Sequence, residues 1–234
     1  VGNYASPETP GSAYVLLHHV FGEVDGEKGA WGHALGGMGS ITKIMKTVCE
    51  ENGVDISTKT SVSKVLIENN KAIGVKIDDG SVIHSDKIVS NLNPKLLFSK
   101  LVNEEDVDKE YLRKILNYKC GSGTFRMNVA LSELPDFTCL PGKITNDHHK
   151  SGIVIAPSLT YMDEAFTDAK QYGWSKNPIV EMLIPSTVDP SLAPKGMHVA
   201  SLFCQQFAPV LPRDKSWHDE KENAASNIID TVNK

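Results

Sequence analysis

The chain has 234 residues, 40% hydrophobic and 23% charged, a make-up that suits an ordinary globular protein of one large domain or two small ones. A formal net charge of -5 with no lysine or arginine run excludes a phosphate-backbone-binding surface, and with it nucleic acid as a partner. No apolar run approaches the roughly 20 residues that cross a bilayer, and no basic-then-apolar leader pattern opens the sequence, so the reading is a soluble protein of the cytoplasm, or of the mitochondrial matrix in a eukaryotic source.

Taken in chain order, "SAYVLLHHVF" (residues 12–21) follows the Pro10-Gly11 turn and suits a buried helix or strand. The stretch "EVDGEKGAWGHAL" after it fits no strand pattern. Glycines then cluster at 32, 36, 37 and 39, and a helix is expected over 38–52: Ile41, Ile44, Met45 and Val48 recur at helical steps, Ser40 can cap its start and Gly53 its end. This is not a dinucleotide fingerprint, which needs a strand before its glycines and an acidic residue about 20 positions on. "VDIST", "SVSKVLIE", "AIGVKID" and "SVIHSDKIVSN" read as strands of a small antiparallel meander, turned at Asn69-Asn70 and Asp78-Asp79-Gly80, its last strand running on to Asn91 and Pro94.

Beyond Pro94 the texture changes. "PKLLFSKLV" and "DKEYLRKILNYK" read as helices; "GTFRMNVAL", "GIVIAPS", "PIVEMLIPS" and "MHVASLFCQQF" read as strands, with a helical "SLTYMDEAFTDAK" between the second and third. A mixed or antiparallel sheet with helices would bury these, so the fold class is α+β, with a boundary near residue 93. The sequence starts at Val1 in mid-flow and ends in a helical pattern without a cap, and is therefore expected to be an internal piece of a longer protein.

Chemistry-bearing patterns are few. Cys49, Cys120, Cys139 and Cys204 form no CxxC pair, so neither zinc nor a compact disulfide framework is expected. The pairs His18-His19 and His148-His149 lack a cysteine or carboxylate at metal spacing. Asp78-Asp79 and Glu104-Glu105-Asp106 suit turn and helix-start roles, and GxSxG, HExxH and P-loop motifs are missing.

The string "PGSAYVLLHHVFGEVDGEKGAWGHALGGMGSI", followed by "GVDISTKTSVSKVLIENNKAIGVKIDDGS", "KIVSNLNP" and "PIVEMLIPSTVDPSLAPKGMHVASLFCQQFAP", resembles the FAD-dependent phytoene-desaturase-like oxidoreductases. The resemblance is strongest to the branch called pyridine nucleotide-disulfide oxidoreductase domain-containing proteins. It implies a flavin amine-oxidase-like fold, in which residues 1–30 and 94–234 belong to a substrate domain and 31–93 to part of a FAD domain, a helix plus a β-meander. The GxGxxG strand unit and the glycine-rich closing segment of that family are missing from this sequence, so FAD is implied as cofactor of the longer protein rather than of this piece. By the same resemblance Val62 would offer its backbone to the adenine, and Gly36, Gly37 and Gly39 would be backbone neighbours of the cofactor, where the lack of a Cβ and the free amides of a helix start would admit a ring or phosphate. On residues alone these glycines are better read as a turn, and Val62 equally as an ordinary core position.

The substrate implied is a hydrophobic small molecule, with Phe125, Met127, Ile153, Ile155, Met182, Ile184, Phe203 and Phe207 as candidate pocket residues, half of which must also face the core, so that ordinary packing is the better reading for any single one. A catalytic side chain is not required, because a flavin accepts hydride itself. Peripheral membrane contact and a homodimer formed through the cut FAD-domain surface stay open, as do two other readings: a non-catalytic binding module, and a related amine oxidase or polyene isomerase.

Overall fold

The computed structural model describes residues 4–18, 20–142 and 144–234, the side chains at 16 and 18 excepted. In chain order the elements open with α1 (Ala13–His18), the hairpin strands β1 (Glu23–Val24) and β2 (Glu27–Lys28), and α2 (Gly39–Glu51). Next come β3 (Val62–Glu68), β4 (Lys71–Ile77), β5 (Val82–His84), the helical turn α3 (Pro94–Leu96) running into one π-turn (Leu97–Leu101), and α4 (Lys109–Asn117). The remainder is β6 (Thr124–Leu131), α5 (Asp147–Lys150), β7 (Ile153–Ile155), α6 (Leu159–Tyr172), β8 (Trp174–Leu183), β9 (His198–Phe207) and α7 (Trp217–Val232).

The chain divides into two compact units, Val1–Met45 with Gly121–Lys234, and Lys46–Cys120, with α2 running across the division. Within the second unit the turns after Pro94 pack on the meander, where Leu97, Phe98 and Tyr111 face Val65, Ile67 and Ala72 across one cleft.

The first unit is built on a four-stranded antiparallel sheet in the order β6-β9-β8-β7. Strand alternation gives its faces opposite characters. Val180, Met182, Ala200, Leu202 and Cys204 point into a core to which α7 adds Ala224 and Ile228, with Phe125 and Met127 of β6 packed against it. Gln206 has a left-handed φ of 68°, which breaks the alternation and brings Phe207 into this same cluster beside Phe125, 5.3 Å between ring centroids. The helix α6 follows Ser158, whose hydroxyl accepts from the Tyr161 amide, and ends at Gly173 with φ 106°. The segment before α1 is tied in through Ser6 to Asp163, Gln206 to the Ala5 carbonyl, and Tyr4 edge-on to Phe166.

One expectation changes in this unit. The stretch at 23–28 does carry short strands, because Asp25 and Gly26, both with positive φ, form a two-residue hairpin turn that does not depend on hydrophobic alternation. Adjacent His148 and His149 pack their rings 4.0 Å apart beside Phe137, and His149 is buried as a cap: its Nδ1 accepts from the Asn146 amide and its Nε2 donates to the Pro135 carbonyl. His19 lies outside the described residues, as does the His18 side chain. Among the described residues no three His, Cys, Asp or Glu side chains are grouped as metal ligands.

The second unit holds the three-stranded antiparallel meander β3-β4-β5. Asn69 and Asn70, φ 49° and 61°, make its first two-residue turn; at the second, Gly80 has φ 89° and the Asp79 carboxylate accepts from the Ser81 hydroxyl and amide, which holds its pKa down. The last strand stops at His84 rather than reaching Asn91, because the Ser85 hydroxyl bonds the Lys87 backbone in place of a ladder partner. No strand forms at "VDIST", where the chain leaves α2 and turns at Lys59 with φ 57°. The helix expected over 94–102 is split, and Asn93 caps its start through the Lys95 amide.

Gly74 marks the tightest backbone approach in this unit: a Cβ there would stand 2.5 Å from the Ile83 carbonyl oxygen and 3.2 Å from the His84 Cα. Gly74→Ala is expected to separate β4 from β5 and cost about 1–3 kcal/mol, read as a lower urea midpoint and faster amide exchange at residues 82–84.

Candidate functional site

The glycine turn before α2 is built by two consecutive left-handed residues, Gly36 and Gly37, with φ 81° and 79°. A Cβ on Gly37 would meet Leu192 Cδ2 at 3.3 Å, whereas Gly39 has nothing within 4 Å of that position. Gly37 donates to the Ala34 carbonyl at 2.9 Å, Ser40 to Gly37 at 3.0 Å and Ile41 to Met38 at 3.2 Å. The amides of Met38 and Gly39 have no hydrogen-bond partner among the described residues. Ser40 does not cap the helix as the sequence suggested: it lies inside the first turn, and its hydroxyl donates back to the Gly37 carbonyl at 2.7 Å. The far end of α2 behaves as read, with Gly53 left-handed at φ 76° and the Gly53 and Val54 amides bonding Glu50 and Cys49.

The turn is held from 153 residues away. Asp189, 3% exposed, accepts from the Gly36 amide through Oδ2 at 2.6 Å, and through Oδ1 from the Ser191 amide at 3.0 Å and hydroxyl at 2.6 Å. His33 Nε2 stands 3.7 Å from the same Oδ2. The Ser191 hydroxyl first, then the Gly36 amide, hold the Asp189 carboxyl below its ordinary pKa against the opposing effect of burial. Sequence reading missed this residue. The local signal was present, since Asp before Pro-Ser is a turn cap, but its partner could not be read.

Beyond the turn, α2 has no buried residue, and Ile41, Ile44, Met45 and Val48 are all exposed. Gly36, Gly37 and Gly39 thus lie in one turn of the first unit. Val62 opens β3 in the second unit opposite Ile77; it is 37% exposed, at a register irregularity, and is not a core position.

The second face of the four-stranded sheet is the other candidate. Seven of the eight expected pocket residues belong to the packed core, and only Phe203 points the other way. Alternation puts Val154, Glu181, Phe203 and Arg126 in one cross-strand row on that face. The Arg126 guanidinium lies over the Phe203 ring at 5.3 Å, and Gln205, one pair further along, donates to Glu181. The row is therefore mixed polar and aromatic.

The sequence profile of the flavin-containing amine oxidoreductases matches residues 2–124, more than half of the chain. The chain belongs to that family. It is 34% identical, over 99% of its length, to mouse (Mus musculus) pyridine nucleotide-disulfide oxidoreductase domain-containing protein 2, and spans 41% of that relative. It is 26% identical over 95% of its length to a chloroplastic prolycopene isomerase 2 of an Oncidium hybrid cultivar, of which it spans 34%. Among solved structures, a Methanosarcina mazei oxidoreductase matches with a TM-score of 0.55 at 23% identity, over 83% of this chain and 37% of that one, and this likeness concerns the fold.

A flavin-containing family raises the question whether the residues present fit a flavin nucleotide. At the glycine turn they do: two free amides open a helix, and Gly39 leaves the space of a Cβ empty beside them. No described helix is long and apolar enough to cross a membrane.

Proposed function

We propose that this chain forms the sheet domain and part of the FAD domain of an FAD-dependent, phytoene-dehydrogenase-like oxidoreductase that takes hydride from a hydrophobic substrate. The observation that carries the reading is the family match across residues 2–124, which includes the glycine turn. A bound flavin supplies the hydride acceptor. The chain's own residues then bind, orient and exclude water. Gly36, Gly37 and Gly39 bring backbone close to the cofactor, with the Met38 and Gly39 amides as donors. The row Val154, Glu181, Phe203 and Arg126 is the sheet surface on which an elongated apolar substrate with a polar end can lie, Phe203 against the chain and Arg126 or Glu181 at the end.

Likeness to an isomerase named for prolycopene favours, as a second reading, a polyene isomerase on the same scaffold. The intact protein decides. Purified, it is expected to be yellow, to release FAD at about one per chain on denaturation, and to bleach anaerobically with an oxidisable substrate. Preparations that remain colourless with added FAD overturn the flavin reading; flavin that changes the geometry of a polyene without net bleaching favours the isomerase.

A further inference from the structure

The two oxygens of Asp189 serve different parts of the chain: Oδ1 closes its own turn through Ser191, and Oδ2 reaches the Gly36 amide. Every other hydrogen bond within residues 34–40 is local, so among the described residues this is the one long-range polar tie on the glycine turn. A nearly fully buried carboxylate is costly unless donors surround it, and here three protein donors do, with His33 beside them. Packing alone would not set the turn, because Gly36 and Gly37 have unusually wide conformational freedom and even an added Cβ would meet little: Ser40 Cβ at 3.6 Å from Gly36 and Leu192 Cδ2 at 3.3 Å from Gly37.

We propose that Asp189 is a positioning residue of the cofactor site: by fixing Gly36 it presets the turn whose Met38 and Gly39 amides meet a flavin nucleotide. This rests on the reading of the glycine turn given under Proposed function. The two-oxygen arrangement makes a specific demand. Asparagine matches aspartate in size but has one acceptor, so it can serve Ser191 or Gly36 and turns an NH2 toward the other donor. Ser191→Ala removes one donor from Oδ1 and leaves Oδ2 on Gly36.

The test compares the intact protein with its Asp189→Asn and Ser191→Ala variants, reading amide exchange over residues 34–40 and FAD affinity by flavin fluorescence titration of the apo form. Asp189→Asn is expected to speed exchange in that segment about tenfold and weaken FAD about tenfold, with exchange in α7 unchanged; Ser191→Ala stays within about twofold on both. Unaltered exchange in Asp189→Asn overturns the proposal, and faster exchange with wild-type FAD affinity overturns the link to the cofactor. Should Asp189→Asn fail to fold, FAD added to the apo wild type is expected to slow exchange at 34–40, and no slowing overturns the proposal. A wild type that takes up no FAD sinks the flavin reading itself, and exchange in the variant then still decides whether Asp189 holds the turn.

Discussion

Phe207→Ala is expected to remove about 3–5 kcal/mol from the sheet-bearing unit, a large share of the roughly 5–15 kcal/mol that holds a domain together. The ring is 2% exposed and sits between Phe125, at 5.3 Å, and Trp217, at 6.2 Å. Its backbone is fixed on both sides: its amide donates to Gly123 at 3.0 Å, and the next amide, of Ala208, donates to Gly173 at 2.7 Å. Trp217 Nε1 in turn donates to the Ala208 carbonyl at 2.9 Å, so the start of α7 is pinned to the same point. These anchors leave the site little freedom to collapse over the cavity, which puts the cost at the upper part of the range. Urea unfolding followed by tryptophan fluorescence reads the change directly, because Trp174 and Trp217 lie 5.7 Å apart at the ring's edge. Val154→Ala, on an exposed strand position, is the control and is expected to stay within about 0.5 kcal/mol. A Phe207→Ala midpoint equal to that control would show that the aromatic cluster does not hold the sheet to α7.

How far the sequence foretold this architecture depends on the range of the interaction concerned. Asn69-Asn70, Gly53 and the alternation of "GTFRMNVAL" are local signals, and the turn, the helix end and the strand stand where they point. Asp25-Gly26 was equally local, but a search for alternating apolar residues passes over two-residue strands made of Glu, Val and Lys. Which of the candidate pocket residues would face the core was not legible for a different reason. Period-two patterning shows that Phe203 and Cys204 face opposite ways, yet not which face α7 will cover, and the apolar side proved to be the core. Gln206 could not be read at all, since a left-handed glutamine is imposed by the surrounding packing and not by its own preference. Asp189 and Gly36 meet only because the fold brings together segments 153 residues apart.

Cys204 makes the second large effect one of pH. Burial first, then the Glu181 carboxylate, push its thiol from an ordinary 9.0 up to about 12, with Arg126 opposing in part. The folded state therefore keeps a proton that the unfolded chain releases above pH 9, so this contribution is whole below pH 9 and is lost as pH climbs toward 12. Between pH 8 and pH 11 the loss amounts to about 3 kcal/mol, at roughly 1.4 kcal/mol per unit of pH once the unfolded thiol ionises. Tyr4 and Tyr161, whose hydroxyls burial also pushes up, add alkaline sensitivity of their own, so the informative quantity is a difference between proteins. Cys204→Ala is expected to cost about 1 kcal/mol at pH 8 through lost packing and then to lose about 3 kcal/mol less than the wild type on going to pH 11. Urea midpoints at the two pH values measure this, and equal losses in both proteins would assign the alkaline sensitivity elsewhere. A thiol reagent at pH 8 gives an independent reading: Cys120 and Cys139 are exposed and react, while Cys204, fully buried and protonated, becomes reactive only as the sheet opens.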